Sequence, residues 1–171
     1  PGSVDPHFNQ GTSTQTLTYH LFDTLIDRRP DSSLAPALAL SWTPVADTVW
    51  EFRLRPGVRF SDGRPFSADD VAFTITRVPH VPNATASYAG QVRAIQRVEI
   101  VDPLTLRLHT DGPAPSLPID LAAVAIVSRH VGAGATTEDY NSGRAAIGTG
   151  PYTLRSFTPG NEAELARNES W

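Results

Sequence analysis

Residues 54–71 read LRPGVRFSDGRPFSADDV, and no other stretch restricts the fold as tightly. Just before it, Trp50, Phe52 and Leu54 alternate with Glu51, Arg53 and Arg55. Period-two alternation predicts a strand with one wet face. Pro56-Gly57 suits a type II turn, because Pro presets φ and Gly accepts a positive φ. Val58 and Phe60 then predict a second strand, and Asp62-Gly63 a second turn. Ser67-Ala-Asp-Asp70 has the S-x-x-D form of a helix start. It predicts Ser67 as N-cap, its hydroxyl accepting from the N–H of residue 69 or 70. The stripe Val71, Thr74, Ile75 and Val78 follows, and Pro79 ends it.

The same reading extends along the chain. Leu17, Leu21, Phe22 and Leu25 stand at helical spacing and predict a helix over 17–27. ALALSW is a helical turn or the entry to a strand. Val98 and Ile100, then Leu104, Leu106 and Leu108, alternate with polar residues on either side of Asp102-Pro103 and predict a second hairpin. LAAVAIVS at 121–128 is apolar and predicts a buried helix passing into a strand. Residues 138–146 predict a short helix, and Tyr152–Arg155 with Ala163–Ala166 a last hairpin around Pro159-Gly160. The pattern is α+β with several hairpins, not βαβ. The hairpins and capped helix predict one core shared by Trp50, Phe52, Leu54, Phe60, Val71, Ile75, Leu106 and Leu108.

Composition removes several function classes. The formal charge is −4, so there is no basic stripe for nucleic acid. No apolar run approaches the roughly 18 residues of a membrane span. There is no cysteine, which excludes disulfides, thiolate zinc sites and cysteine nucleophiles. All 14 basic residues are Arg, a coding bias rather than a site. The chain opens on PGSVDPHFNQ without an initiator Met, compatible with a removed leader.

No catalytic signature emerges. The histidines, at 7, 20, 80, 109 and 130, form no pair at i, i+3 or i+4. Asp69-Asp70 could be paired acids, but first-turn carboxylates also complement the helix dipole. Gly148-Thr-Gly150-Pro151 lacks the G-K-[ST] ending of a phosphate loop and reads as a tight turn where backbones approach closely. No G-x-S-x-G is present. Tyr88, in a polar loop after the capped helix, is either an exposed ligand contact or a lid over a small core.

Long stretches resemble the extracytoplasmic solute-binding proteins of peptide- and nickel-type ABC importers, bacterial solute-binding protein family 5. They are DPH at 5–7 with LFDTLI, PALALSW at 36–42, WEFRLRPGVRFSDGRPFSADDV at 50–71, VEIVDPLTLRL at 98–108, IGTGPYTLRSFTPG at 147–160 and ARNESW at 166–171. DYNSGRAAIGTGPY is similar to the dipeptide-type branch. The resemblance implies the N-terminal lobe of a two-lobed, class II periplasmic-binding-protein-like fold: a mixed sheet plus an inserted hairpin-and-helix subdomain. Residues 1–33 and 115–171 would be main-lobe segments and 34–114 the insert, with a first strand and a second lobe lying outside the chain. It implies a periplasmic (extracytoplasmic) binder of a peptide or other small solute, with permease subunits as partners, no cofactor and no nucleic acid. Ligand contacts would fall on Gln10, Gly11 and Thr12, along an extended segment after D-P-H, and on Tyr88. The partners for peptide termini would lie in the other lobe, and a lone lobe would expose surface for self-association. A nickel or metal-chelate receptor is the alternative within the family, with His7 the one histidine near the ligand segment. A hydrolase is the alternative from another class.

Overall fold

The computed structural model describes residues 1–171. Helix α1 (Thr12–Leu21) buries Thr14, Leu17, Thr18 and Leu21, one face at i, i+3, i+4 and i+7. A short hairpin, β1 (Ile26–Arg28) and β2 (Leu34–Pro36), follows. Next come β3 (Ala39–Ala46) and β4 (Val49–Leu54), helix α2 (Ala68–Arg77) and a 3₁₀ turn at Val78–His80. The one-turn helix α3 (Ala89–Val92) leads into β5 (Ile95–Asp102) and β6 (Thr105–Thr110). Three short helices, α4 (Leu117–Leu121), α5 (Arg129–Gly132) and α6 (Thr137–Asn141), precede the closing hairpin β7 (Tyr152–Thr158) and β8 (Glu162–Arg167).

The central sheet is antiparallel in the order β3-β4-β6-β5. Its register sets Phe52 opposite Leu106 and Trp50 opposite Leu108, so the alternating apolar residues share one face. That face packs on α2 through Val71 and Ile75. Phe52, Leu54, Phe60, Val71, Ile75, Leu106 and Leu108 are all buried in one cluster, with Trp50 packed partly buried against it, as the alternation predicts. The opposite face carries the row Glu51–Arg107–Glu99, with Arg107 Nε donating to Glu51 at 2.9 Å. A second cluster gathers Val4, Leu17, Leu21, Phe22, Ala125, Val127 and Tyr140.

The turn residues take the conformations that their chemistry allows. Gly57 and Gly63 sit at φ +78° and +86°. The strand predicted at 58–60 is instead a tight loop. Phe60 N–H donates to Arg64 O and Phe66 N–H to Val58 O, which leaves one isolated bridge and buries both rings edge to face at 6.3 Å. Ser67 is the N-cap of α2, with extended backbone, and Asp70 Oδ2 accepts the Ser67 N–H at 2.9 Å. Asp70 also accepts the Arg129 N–H at 2.8 Å, so the capping carboxylate ties α2 to α5. The predicted strand at the end of LAAVAIVS reduces to a single bridge, Thr24 to Ala125.

The largest departure from the sequence reading is the first helix, expected over 17–27 and found at 12–21. Phe22 leaves it in extended conformation, yet Phe22 and Leu25 remain buried. The physical reason is long-range. The Leu21 carbonyl, which in a longer helix would accept from Leu25, accepts the Gly150 N–H at 3.0 Å. Gly148 and Gly150 cross directly over that carbonyl, and a Cβ at Gly148 would overlap its oxygen. Thr149 between them donates to Asp23 Oδ2 at 2.8 Å. GTGP is thus a close backbone crossing.

Two outcomes test these packings in denaturant melts. Phe52→Ala empties the centre of the larger cluster and should cost roughly 3–5 kcal/mol. Gly148→Ala should cost about 3 kcal/mol or more, because its neighbour is backbone and cannot swing away. A change under about 1 kcal/mol in either would refute the corresponding packing.

Candidate ligand-binding edge

The D-P-H triplet is the anchor of the candidate site. Asp5 and His7 are fully buried, at 0% exposure. Arg77, the last residue of α2, reaches them with both terminal nitrogens: Nη1 to Asp5 Oδ1 at 3.0 Å and Nη2 to Asp5 Oδ2 at 2.6 Å. Nη1 also donates to His7 Nδ1 at 2.7 Å. With Nδ1 accepting, the proton sits on Nε2, which donates to Ala125 O at 2.8 Å. Thr137 of α6 adds a donor to Asp5 Oδ2 at 2.9 Å, and the guanidinium lies 4.5 Å over the Tyr140 ring. Burial by itself would raise the Asp5 carboxyl, but the Arg77 hydrogen bonds and charge hold it below its ordinary value. Burial, then the Arg77 charge, lowers His7 to about 4.

Both nitrogens of His7 are therefore occupied and out of solvent, which removes it as a metal ligand in this conformation. His20 and His80 each bond the carbonyl four residues upstream, and His109 pairs with Glu99 on the sheet. No three His, Cys, Asp or Glu side chains come together to hold a metal ion.

From this anchor the chain runs out as Phe8–Gly11. Phe8 O accepts the Thr85 N–H at 3.0 Å, and Asn9 Nδ2 donates to Thr85 Oγ1 at 3.2 Å. Gln10 Nε2 donates to Ser87 O at 2.6 Å. Gly11 donates its N–H to Asn9 Oδ1 and caps α1 in extended conformation. Thr12, expected in the extended segment, is the first helical residue. Tyr88 is 3% exposed and belongs to the larger core, so of its two readings the lid is what this structure shows. Its hydroxyl accepts from Gln15 Nε2 of α1 at 3.0 Å. The four candidates are brought together: the loop at 85–88 is laced to residues 8–15. The backbone N–H and C=O groups of Asn9 and Gln10 have no partner within the chain.

This edge is open. The larger cavities lie elsewhere: one of about 510 Å³ between Pro44, Trp50 and Pro115, another of about 490 Å³ between Ser67, Asp69 and Arg129. Sequence reasoning placed Asn9 in the ligand segment but did not find Arg77, Gln15, Thr85 or Ser87. Arg77 carried only a local signal, a cation in the last turn of a helix, which dipole complementarity already explains.

The model of "Bacterial extracellular solute-binding proteins, family 5 Middle" matches residues 33–171. The periplasmic oligopeptide-binding protein OppA of Haemophilus influenzae is 26% identical over 98% of this chain and 34% of its own length. Among solved structures, NikZ from Campylobacter jejuni in complex with Ni(L-His) superposes with a TM-score of 0.85 at 27% identity, over 99% of this chain and 34% of that one. MoaA of A. tumefaciens R10 in complex with mannopinic acid gives 0.85 at 30% identity, over 99% and 35%. The chain spans about a third of the length of the relatives it matches.

The buried histidine sets an acid dependence. Its folded pKa, about 4, lies below the ordinary 6.5, so between those values the unfolded chain binds the extra proton. Stability should be complete above pH 6.5 and fall on acidification towards pH 4, by up to about 1.4 kcal/mol per pH unit. Asp5, lowered from 3.8, adds a loss in the same direction below that. Urea melts between pH 4 and 7 should show this slope and its flattening in His7→Gln. An unchanged slope in the variant would assign the proton elsewhere.

Proposed function

Because this chain belongs to the bacterial extracellular solute-binding proteins of family 5, we propose that it forms the ligand-bearing N-terminal lobe of a receptor that delivers peptides to an ABC importer. The family consists of binding proteins rather than enzymes, so the hydrolase alternative falls away. In this reading residues 34–114 form an inserted subdomain and 1–33 with 115–171 the main-lobe segments. The receptor is periplasmic (extracytoplasmic), and the membrane permease is its partner. No helix of the chain is long and apolar enough to cross a membrane. A lone lobe would present Tyr152 and Trp171, 40% and 74% exposed, for self-association.

The observation that carries the peptide reading is the unpartnered backbone of Asn9 and Gln10 beside the anchored Phe8. Free N–H and C=O groups on an extended segment can pair with a peptide main chain without reading its side chains. Gln10 and Thr12 flank that backbone, Gly11 keeps the approach clear, and Tyr88 closes the edge from behind. A second lobe supplies the charged partners of the peptide termini. The nickel-chelate reading draws support from the likeness to NikZ. Against it stands His7, whose nitrogens are already engaged.

Titration calorimetry on the full-length protein, with dipeptides, longer peptides and nickel–histidine chelates in parallel, separates the two. Saturable binding of peptides is expected, weakened about tenfold in Gln10→Pro, which deletes one backbone donor. Heat from the nickel chelate with none from any peptide would overturn the proposal.

A further inference from the structure

We propose that Arg77 is a positioning residue for the ligand edge: it fixes where Phe8–Thr12 leaves the core, acting through Asp5 and His7 without touching solute. This rests on the reading of that segment as the ligand edge. Arg77 comes from α2, in the sheet-and-helix part of the chain, whereas the segment it holds lies some seventy positions earlier. One guanidinium satisfies both Asp5 oxygens and His7 Nδ1 at once. Only a planar fork reaches three acceptors in this way; an ammonium is a point donor. Asp5 in turn accepts the His7 N–H at 3.0 Å, so backbone and ring are both fixed at the residue next to Phe8. Beyond it, Phe8 and Asn9 are held by Thr85 and Gln10 by Ser87. The direction in which the free N–H and C=O groups of Asn9 and Gln10 point is thus set by contacts from residues 77–88.

The same geometry makes the edge sensitive to acid. His7 is faced by Asp5, by Arg77 from α2, by the Ala125 carbonyl and by the Tyr88 ring at 6.4 Å. Behind Arg77 stand Thr137 and Tyr140 of α6. Protonated His7 can no longer accept from Arg77, and two cations then share one buried site. Removing the Arg77 charge relieves that opposition, so protonation should begin nearer neutral pH.

The test uses full-length protein and two variants, Arg77→Lys and Arg77→Met, with the tripeptide Ala-Ala-Ala as probe. Calorimetry should show binding about tenfold weaker or more in both, with stoichiometry unchanged. For the wild type, affinity should be level above pH 6.5 and decline towards pH 4; in Arg77→Met the decline should start closer to neutral pH. Hydrogen exchange gives a readout independent of ligand: the Thr85 amide, bonded to Phe8 O, should exchange faster in Arg77→Lys while Phe52 and Leu106 amides keep wild-type rates. Unchanged affinity and unchanged Thr85 exchange in Arg77→Lys would overturn the proposal, and so would uniform acceleration of all amides, the signature of a merely structural pair. Should Arg77→Met not fold, Arg77→Lys decides by the exchange readout. Should the wild type bind no peptide, the ligand reading fails while Thr85 exchange still decides the positioning role.

Discussion

Asp5 and Arg77 place opposite charges in the interior, joined at 2.6 and 3.0 Å, and the arrangement of the surrounding elements depends on that contact. Burying either ion alone would cost several kcal/mol, and a well-packed apolar pair can match a buried ion pair in stability. What the pair contributes here is direction. A fork and a carboxylate meet in few geometries, and this one requires the end of α2, the start of the chain and the first turn of α6 to converge. Thr137 Oγ1 and the His7 N–H donate to the remaining Asp5 lone pairs, so none is wasted on an apolar wall, while the His7 and Tyr140 rings face Arg77.

A second constraint is steric. The carbonyl at the end of α1 is met by a backbone that only glycine can bring so close, at Gly148 and Gly150. Gly148 O also accepts the Ser61 N–H at 2.9 Å, and Asn168 Nδ2 donates to Gly150 O at 2.9 Å. Four segments distant in sequence therefore share one crossing: the end of α1, the loop before α2, the GTGP turn and the strand end after β8. The Leu21 carbonyl left over by the end of α1 is satisfied there, in keeping with the rule that buried backbone is seldom unpaired.

How far the sequence disclosed this follows from the range of each interaction. The alternation at 50–54 and 104–108 reports a local periodicity, and both strands lie where it puts them. The start of α2 is equally local, a cap and an acid three residues on. The end of α1 is not legible, because Phe22 and Leu25 are buried for a reason that local helical spacing cannot carry: a carbonyl engaged 129 positions away, from Leu21 to Gly150. The candidate site divides in the same way. Family likeness pointed to Gln10, Gly11, Thr12 and Tyr88, and the fold gathers them. Arg77, Thr85 and Ser87 were invisible, since nothing near them in sequence shows which distant backbone they hold.

The anchor of the edge also has an order in time. Ser3 Oγ donates to Asn141 Oδ1, and Val4 N–H to the same oxygen, across 138 and 137 positions. His7 bonds a carbonyl 118 positions on. Residues 3–7 can therefore reach these partners only once the chain to Asn141 is in place, whereas the β5–β6 hairpin closes over two residues between Asp102 and Thr105. Closing a longer loop costs more entropy, though only logarithmically, and contacts of long range slow folding. The segment that carries the candidate edge is therefore settled later than the hairpins between it and its partners.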